Sequence, residues 1–222
     1  MSELPSVTGF QAEVARLFFA LPEAESFLLA GGLALLAQGM SERPTQDMDA
    51  FTSRPGDVQR ARSAFEVAAR ERGWVVELRQ STETFVRMNV HDQDSVLVDL
   101  ALDSPPGLPA SITVLGPTFD PDELGARKLL ALFDRAMPRD FVDVFVVTRS
   151  RAPEELLDLA HELDPGLEMA VLAVAMRRLS AYRDEDMPID PVRLPEVRAF
   201  FYAWADALDR PSANDPGRSI VH

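Results

Sequence analysis

The sequence predicts an α+β protein in which a mixed sheet with flanking helices is followed by a helical C-terminal domain. Three observations predict it. Five short apolar or alternating runs, bounded by Gly, Pro and polar residues, lie between residues 26 and 103. From Asp120 onward, apolar residues instead recur at three- and four-residue spacing over five successive segments. With 222 residues and 46% hydrophobic content, the chain can bury the core of one or two soluble domains.

Residues 7–20 (VTGFQAEVARLFFA) open as an amphipathic helix, with Ser6 or Thr8 as the capping hydroxyl. SFLLAGG reads as strand then turn, LALLAQG (33–39) as a short helix stopped by Gly39, and residues 46–53 as a strand. An Arg-bearing helix over 56–72 ends at Gly73. WVVELRQ (74–80), TFVRMNV (84–90) and SVLVDLALD (95–103) then form strands, most of them antiparallel. A Pro-rich loop, SPPGLP, leads to a short apolar run at 112–115. The helical segments are DPDELGARKLLALFDRA, RDFVDVFVVTRS, APEELLDLAHEL, GLEMAVLAVAMRRLSAYR and LPEVRAFFYAWADALDR. The expected domains are therefore 1–116 for the sheet and 117–210 for the helices, with 211–222 as a disordered tail. Trp74, Trp204, Phe200 and Phe201 fall at core spacing, and His91 and His161 read as surface residues.

Composition narrows the chemistry. The chain has no Cys, which excludes disulfides, thiolate catalysis and Cys-bearing metal sites. His91, His161 and His222 are scattered. No apolar run approaches the roughly 20 residues of a membrane span, and MSELPSVTGFQAE lacks the layout of a signal peptide. A cytoplasmic protein without a membrane partner is expected. The net charge of −14 argues against a surface that coats nucleic acid wholesale, but it leaves room for a local basic cleft. Arg60, Arg62, Arg70, Arg72, Arg79 and Arg87, with Arg127, Arg135 and Arg139, are its candidates. Lys128 is the only Lys in the chain. Against such Arg bias it marks a position where a compact point charge serves and a planar fork does not, or else a snorkelling surface side chain.

The informative segment is AGGLALLAQGMSERPTQDMDAF, residues 30–51. Gly31 and Gly32 stand between a strand and a helix start, either as a tight turn or as a place where a phosphate reaches the backbone and the N–H groups of Gly32 and Leu33. Arg43, Thr45, Asp47 and Asp49 alternate, so on a strand they share one face. The two carboxylates would then lie about 7 Å apart along it. That face is a metal-binding surface or an acidic edge strand. Asp99, inside Val-Leu-Val-Asp-Leu-Ala, is a carboxylate in an apolar strand, where Asp is depleted. It is either a third ligand or an outward-facing residue. Asp140 and Asp143 follow Arg139 at the start of a helix, where an acid caps and complements the dipole.

Together these residues resemble the signature of the DNA-polymerase-β-like nucleotidyltransferases: a Gly pair, Asp-x-Asp and a later carboxylate. GARKLLALFDRAMPRDFVDVFVV (125–147) and the Arg-x-Thr-x-Asp-x-Asp form at 43–49 are similar to the AbiEii and MenT-type toxins of type IV toxin–antitoxin systems. The resemblance covers residues 28–51, 95–102 and 122–147 in order. It implies the nucleotidyltransferase fold and a Mg2+-dependent enzyme with Asp47, Asp49 and Asp99 as metal ligands. Lys128 joins them as a catalytic residue. Gly31, Gly32, Leu33, Arg43, Thr45, Lys128, Asp140 and Asp143 are implied at the nucleotide. The implied reaction adds nucleotides from an NTP, a pyrimidine nucleotide by resemblance, to the 3′ end of tRNA, blocking aminoacylation and translation. A cognate antitoxin encoded alongside is implied as partner, with Thr45 as the residue it would phosphorylate. One departure is Leu33, where relatives often carry Ser or Thr. The alternatives are a nucleotidyltransferase acting on a small molecule such as an antibiotic, and a degenerate domain that binds nucleotide or RNA without catalysis.

Overall fold

The computed structural model describes residues 6–210; the tail expected over 211–222 lies outside the described residues. The chain divides into two compact units, one ending at Gly125 and the other beginning at Ala126. The division falls beyond the expected boundary after residue 116 because the next strand still pairs within the sheet.

The first unit begins with α1 (Gly9–Phe19), whose Thr8 hydroxyl accepts a hydrogen bond from the Gln11 N–H. β1 (Phe27–Ala30) runs directly into α2 (Gly31–Ala37), so the glycine pair is the first turn of the helix rather than a separate turn. β2 (Asp47–Thr52), α3 (Asp57–Glu71), β3 (Val75–Ser81), β4 (Phe85–His91) and β5 (Ser95–Leu102) follow. The apolar run near 112–115 resolves into a small hairpin of β6 (Ser111–Ile112) and β7 (Pro117–Thr118). These strands form one mixed sheet in the order β3-β4-β5-β2-β1-β7-β6. β2 pairs parallel with β5 and β1 parallel with β7, and the other neighbours are antiparallel.

Period-two alternation sorts the two faces of the sheet. Met48, Ala50, Val86, Met88, Val90, Val96, Val98 and Leu100 are buried on one face. Val14 and Phe18 of α1 and Val58, Ala61 and Phe65 of α3 are buried in the same unit. The Phe18 ring meets Phe27 and Phe65 edge-on at 5.3 and 5.9 Å. The opposite face carries Asp47, Asp49, Arg87, Asn89 and His91, all half-buried. Covering one face with helices leaves the other able to hold charge, and this places the candidate site.

The second unit holds most of α4 (Pro121–Arg135), then α5 (Pro138–Val147), α6 (Pro153–Leu163), α7 (Met169–Arg177) and α8 (Leu194–Leu208). Phe141 packs edge-on against Phe201 at 5.1 Å, and Phe145 against Phe200 at 5.6 Å. Leu172, Met176, Val197 and Trp204 are buried with them.

Candidate active site

The site is built on β2. Only Asp47 and Asp49 lie on the strand itself; residues 41–46 are irregular. Pro44 lacks the N–H that a ladder needs, so the four-residue shared face expected for Arg43 to Asp49 is not a strand face throughout. Arg43 and Thr45 reach the same region by another route. A Cβ added at Gly32 would stand 3.2 Å from Arg43 Nη2 and 3.3 Å from the Thr45 Cβ. Gly31 has φ +65°, and a Cβ there would overlap the Asp49 Oδ2. Gly31 is thus required by the chain's own side chains, since Asp49 closes on it, while Arg43 and Thr45 approach Gly32 more loosely. The Leu33 side chain is fully buried in the core, which leaves only its backbone to face the site.

A residue that sequence patterns did not single out holds this segment in place. Gln11 on α1, 1% exposed, donates from Nε2 to the backbone carbonyls of Thr45 (3.1 Å) and Asp47 (3.2 Å). Those two bonds hold the irregular approach to β2 together with the Leu97 N–H, which donates to the Gln46 carbonyl at 3.4 Å. The Thr45 hydroxyl accepts from the Asp47 N–H at 3.4 Å.

Asp49 is directly opposite Asp99 across the parallel β2–β5 pair, and Asp99 is opposite Arg87 across β5–β4. Ala30, Asp49, Asp99 and Arg87 therefore form one row across four strands. Asp99 is 8% exposed, and its carboxylate accepts two bonds from Arg87, at 2.8 Å from Nε and 2.6 Å from Nη2. The hydrogen bonds to Asp99 raise the Arg87 pKa, partial burial works against the rise, and the charges of Asp99, Asp47 and Asp49 add to it. Arg87 thus joins the carboxylate cluster rather than a free RNA-facing stripe. Other arginines of that stripe are also engaged: Arg60 pairs with Asp57, Arg62 with Glu66 at 2.7 Å, and Arg79 with Glu77 at 2.7 Å. Among the described residues no set of three or more His, Asp or Glu side chains is arranged as a ready metal cage. Asp47 and Asp49 fit a divalent ion by donor type and shared face, while Asp99 is turned to Arg87.

In the second unit, two acids of α5 meet two cations of α4. Lys128 donates to Asp143 Oδ2 at 2.8 Å, with the side chains 9% and 2% exposed. Arg135 clasps Asp140 through two bonds of 2.9 and 2.7 Å. Asp140, fully buried, also accepts from the Met137 N–H at 3.0 Å and so starts α5. The turn between the two helices places Ala136 at φ 47°, with its carbonyl accepting from the Tyr182 hydroxyl. Asp140→Ala removes the cap and the clasp together. It is expected to lower stability by about 2–3 kcal/mol, read as the shift of a chemical-denaturation midpoint.

The fold is that of nucleotidyltransferase toxins. MenT4, a nucleotidyltransferase toxin from Mycobacterium tuberculosis, superposes with a TM-score of 0.60 at 16% identity, over 90% of this chain and 90% of that one. JHP933 from Helicobacter pylori gives 0.56 at 16% identity, over 91% and 93%. Among proteins of curated function none matches the chain at significant similarity. The model of the nucleotidyl transferase AbiEii toxin family, type IV toxin–antitoxin system, matches residues 14–210, and the chain belongs to that family. Membership makes it a nucleotidyltransferase toxin by family, with a nucleotide as substrate and an antitoxin as partner. None of its described helices is long and apolar enough to cross a membrane.

Proposed function

We propose that the chain transfers nucleotides from an NTP to the 3′ end of tRNA and so blocks aminoacylation and translation. The nucleotidyl-transfer part of this reading is supported by the closure of Asp49 onto Gly31, with Asp47 on the same strand face and Asp99 beside it in register; the tRNA acceptor is supported by the resemblance to the family's toxins alone.

Asp47 and Asp49 would hold Mg2+, joined by Asp99. When bound, the ion supplies charge neutralisation to the triphosphate. The chain's own groups do the rest. Gly32 and Leu33 offer backbone N–H groups to phosphate oxygens, and Arg43 and Thr45 line the approach. In the second unit Asp143 orients Lys128, the residue to which the resemblance to the family motif assigns the phosphate, while Asp140 fixes the start of α5. Once released by Arg87, Asp99 takes the proton of the attacking hydroxyl; that oxygen attacks the α-phosphorus in line, and pyrophosphate leaves. Positioning and charge account for most of the catalysis. An antitoxin that phosphorylates Thr45 would place negative charge beside Gly32 and repel triphosphate.

The test is 3′-end sequencing of tRNA from cells expressing the wild type or Asp49→Asn. Extra 3′ nucleotides are expected with the wild type alone. Unaltered tRNA ends under growth arrest by the wild type would overturn tRNA as acceptor and favour a small-molecule acceptor.

A further inference from the structure

Arg87 is the cation of the row it forms with Ala30, Asp49 and Asp99. It sits on the accessible face of β4, its side chain 43% exposed, yet its guanidinium is turned inward to clasp a carboxylate that is 11% exposed. Alternate residues of β4 on that face, Phe85 and Asn89, are uncharged. The clasp is bidentate, and register holds it: Arg87 opposite Asp99, Asp99 opposite Asp49. The oxygens of Asp99 that a divalent ion would use are the ones that accept from Arg87.

We infer that Arg87 is a resident counter-ion that competes with the divalent metal for Asp99, so that the folded site is a two-carboxylate site until Arg87 lets go. This inference rests on the proposed metal role of Asp47 and Asp49 and deepens it. Charge explains why such a residue is useful. Three clustered carboxylates destabilise one another in the absence of a cation, and a guanidinium fills that place with fixed geometry. The same residue makes metal binding conditional: the ion must displace a bidentate partner, or bind with two carboxylates only. On release, the guanidinium remains beside the cluster, where an incoming triphosphate is a better partner for it than solvent. Metal and nucleotide would then bind cooperatively, each taking one member of the pair.

The test is Mn2+ binding followed by electron paramagnetic resonance on the full chain without nucleotide, for the wild type, Arg87→Gln, Arg87→Lys and Asp49→Asn. Removing the competing charge is expected to tighten Mn2+ binding at least about tenfold in Arg87→Gln. Arg87→Lys keeps a cation but loses the fork, and is expected to fall between it and the wild type. Arg87→Lys also keeps the inference testable if Arg87→Gln fails to fold, as judged by circular dichroism. A folded Arg87→Gln that binds Mn2+ no more tightly than the wild type, while Asp49→Asn abolishes binding, would overturn the counter-ion role and leave the metal site standing. Wild-type affinity retained in Asp49→Asn would overturn the metal site itself. Repeating the titration with a non-hydrolysable triphosphate is expected to narrow the gap between wild type and Arg87→Gln; an unchanged gap contradicts release of Arg87 by nucleotide.

Discussion

Gly31→Ala is expected to cost at least about a hundredfold in nucleotide transfer, because the new methyl would occupy the space of the Asp49 carboxylate. Two penalties act at once. The backbone there has φ +65°, which for a residue with a Cβ costs about 1–2 kcal/mol. The clash adds to it, and because the β2 backbone is held between β1 and β5 it is relieved only by swinging the Asp49 carboxylate off Gly31, away from its place in the site. Gly32→Ala is the control. Its neighbours lie at 3.2–3.4 Å and include the far end of the Arg43 side chain, which can give by a few tenths of an ångström. A loss smaller than about tenfold is expected, and an Ala in the first helical turn offsets part of it through helix propensity. Transfer rates and melting temperatures measured side by side separate the two. Gly31→Ala with near-wild-type rate and stability would show that Asp49 does not depend on this close approach.

The second large effect belongs to the Lys128–Asp143 pair. Both side chains are almost fully buried. Removing one partner leaves a charge in a low-dielectric setting, and Lys128→Met or Asp143→Leu is expected to cost about 3–5 kcal/mol of stability. That is a large share of the roughly 5–15 kcal/mol of a typical domain. Lys128→Met/Asp143→Leu together should cost much less than the sum of the single changes, because no charge is left stranded. Lys128→Arg keeps the charge but places a larger planar group in a closed space, and is expected to be destabilising by about 1–3 kcal/mol. Denaturant titrations of the wild type, the two single variants Lys128→Met and Asp143→Leu and their double close the cycle, with Lys128→Arg measured beside them. Single variants within about 1 kcal/mol of the wild type would show that the pair is solvated.

Much of the fold was legible because helices and strands are local patterns. Thr8 capped α1 as its position predicted, and period-two alternation placed Asp47 and Asp49 on one strand face opposite Met48 and Ala50. The mixed sheet with a helical second half followed from the change of period near Asp120. What local pattern could not supply was register. Arg87 read as one more arginine of a basic stripe, because nothing in TFVRMNV says that it falls opposite Asp99. Gln11 read as a polar position on an amphipathic helix, although it is buried against the approach to β2. Glu123, fully buried at the start of α4, accepts from the Gly107 and Leu108 N–H groups and pins the Pro-rich loop. Its sequence context gives only a helix start. Two-residue strands such as β7 are too short for any period to show, which is why the first unit extends further than composition suggested. Pro44 was the one local signal that spoke against a continuous strand through Arg43 and Thr45.

In the proposed function, Asp49 seated on Gly31, with Asp47 beside it, is the centre of nucleotidyl transfer. The most direct measurement incubates purified protein with total tRNA, Mg2+ and each α-labelled NTP in turn, wild type beside Asp49→Asn, and follows label in the RNA together with released pyrophosphate. Label and pyrophosphate in equal amounts with the wild type, and neither with a folded Asp49→Asn, are the expected result. Equal transfer by both proteins, or no transfer with any NTP by a wild type that binds triphosphate, would contradict it.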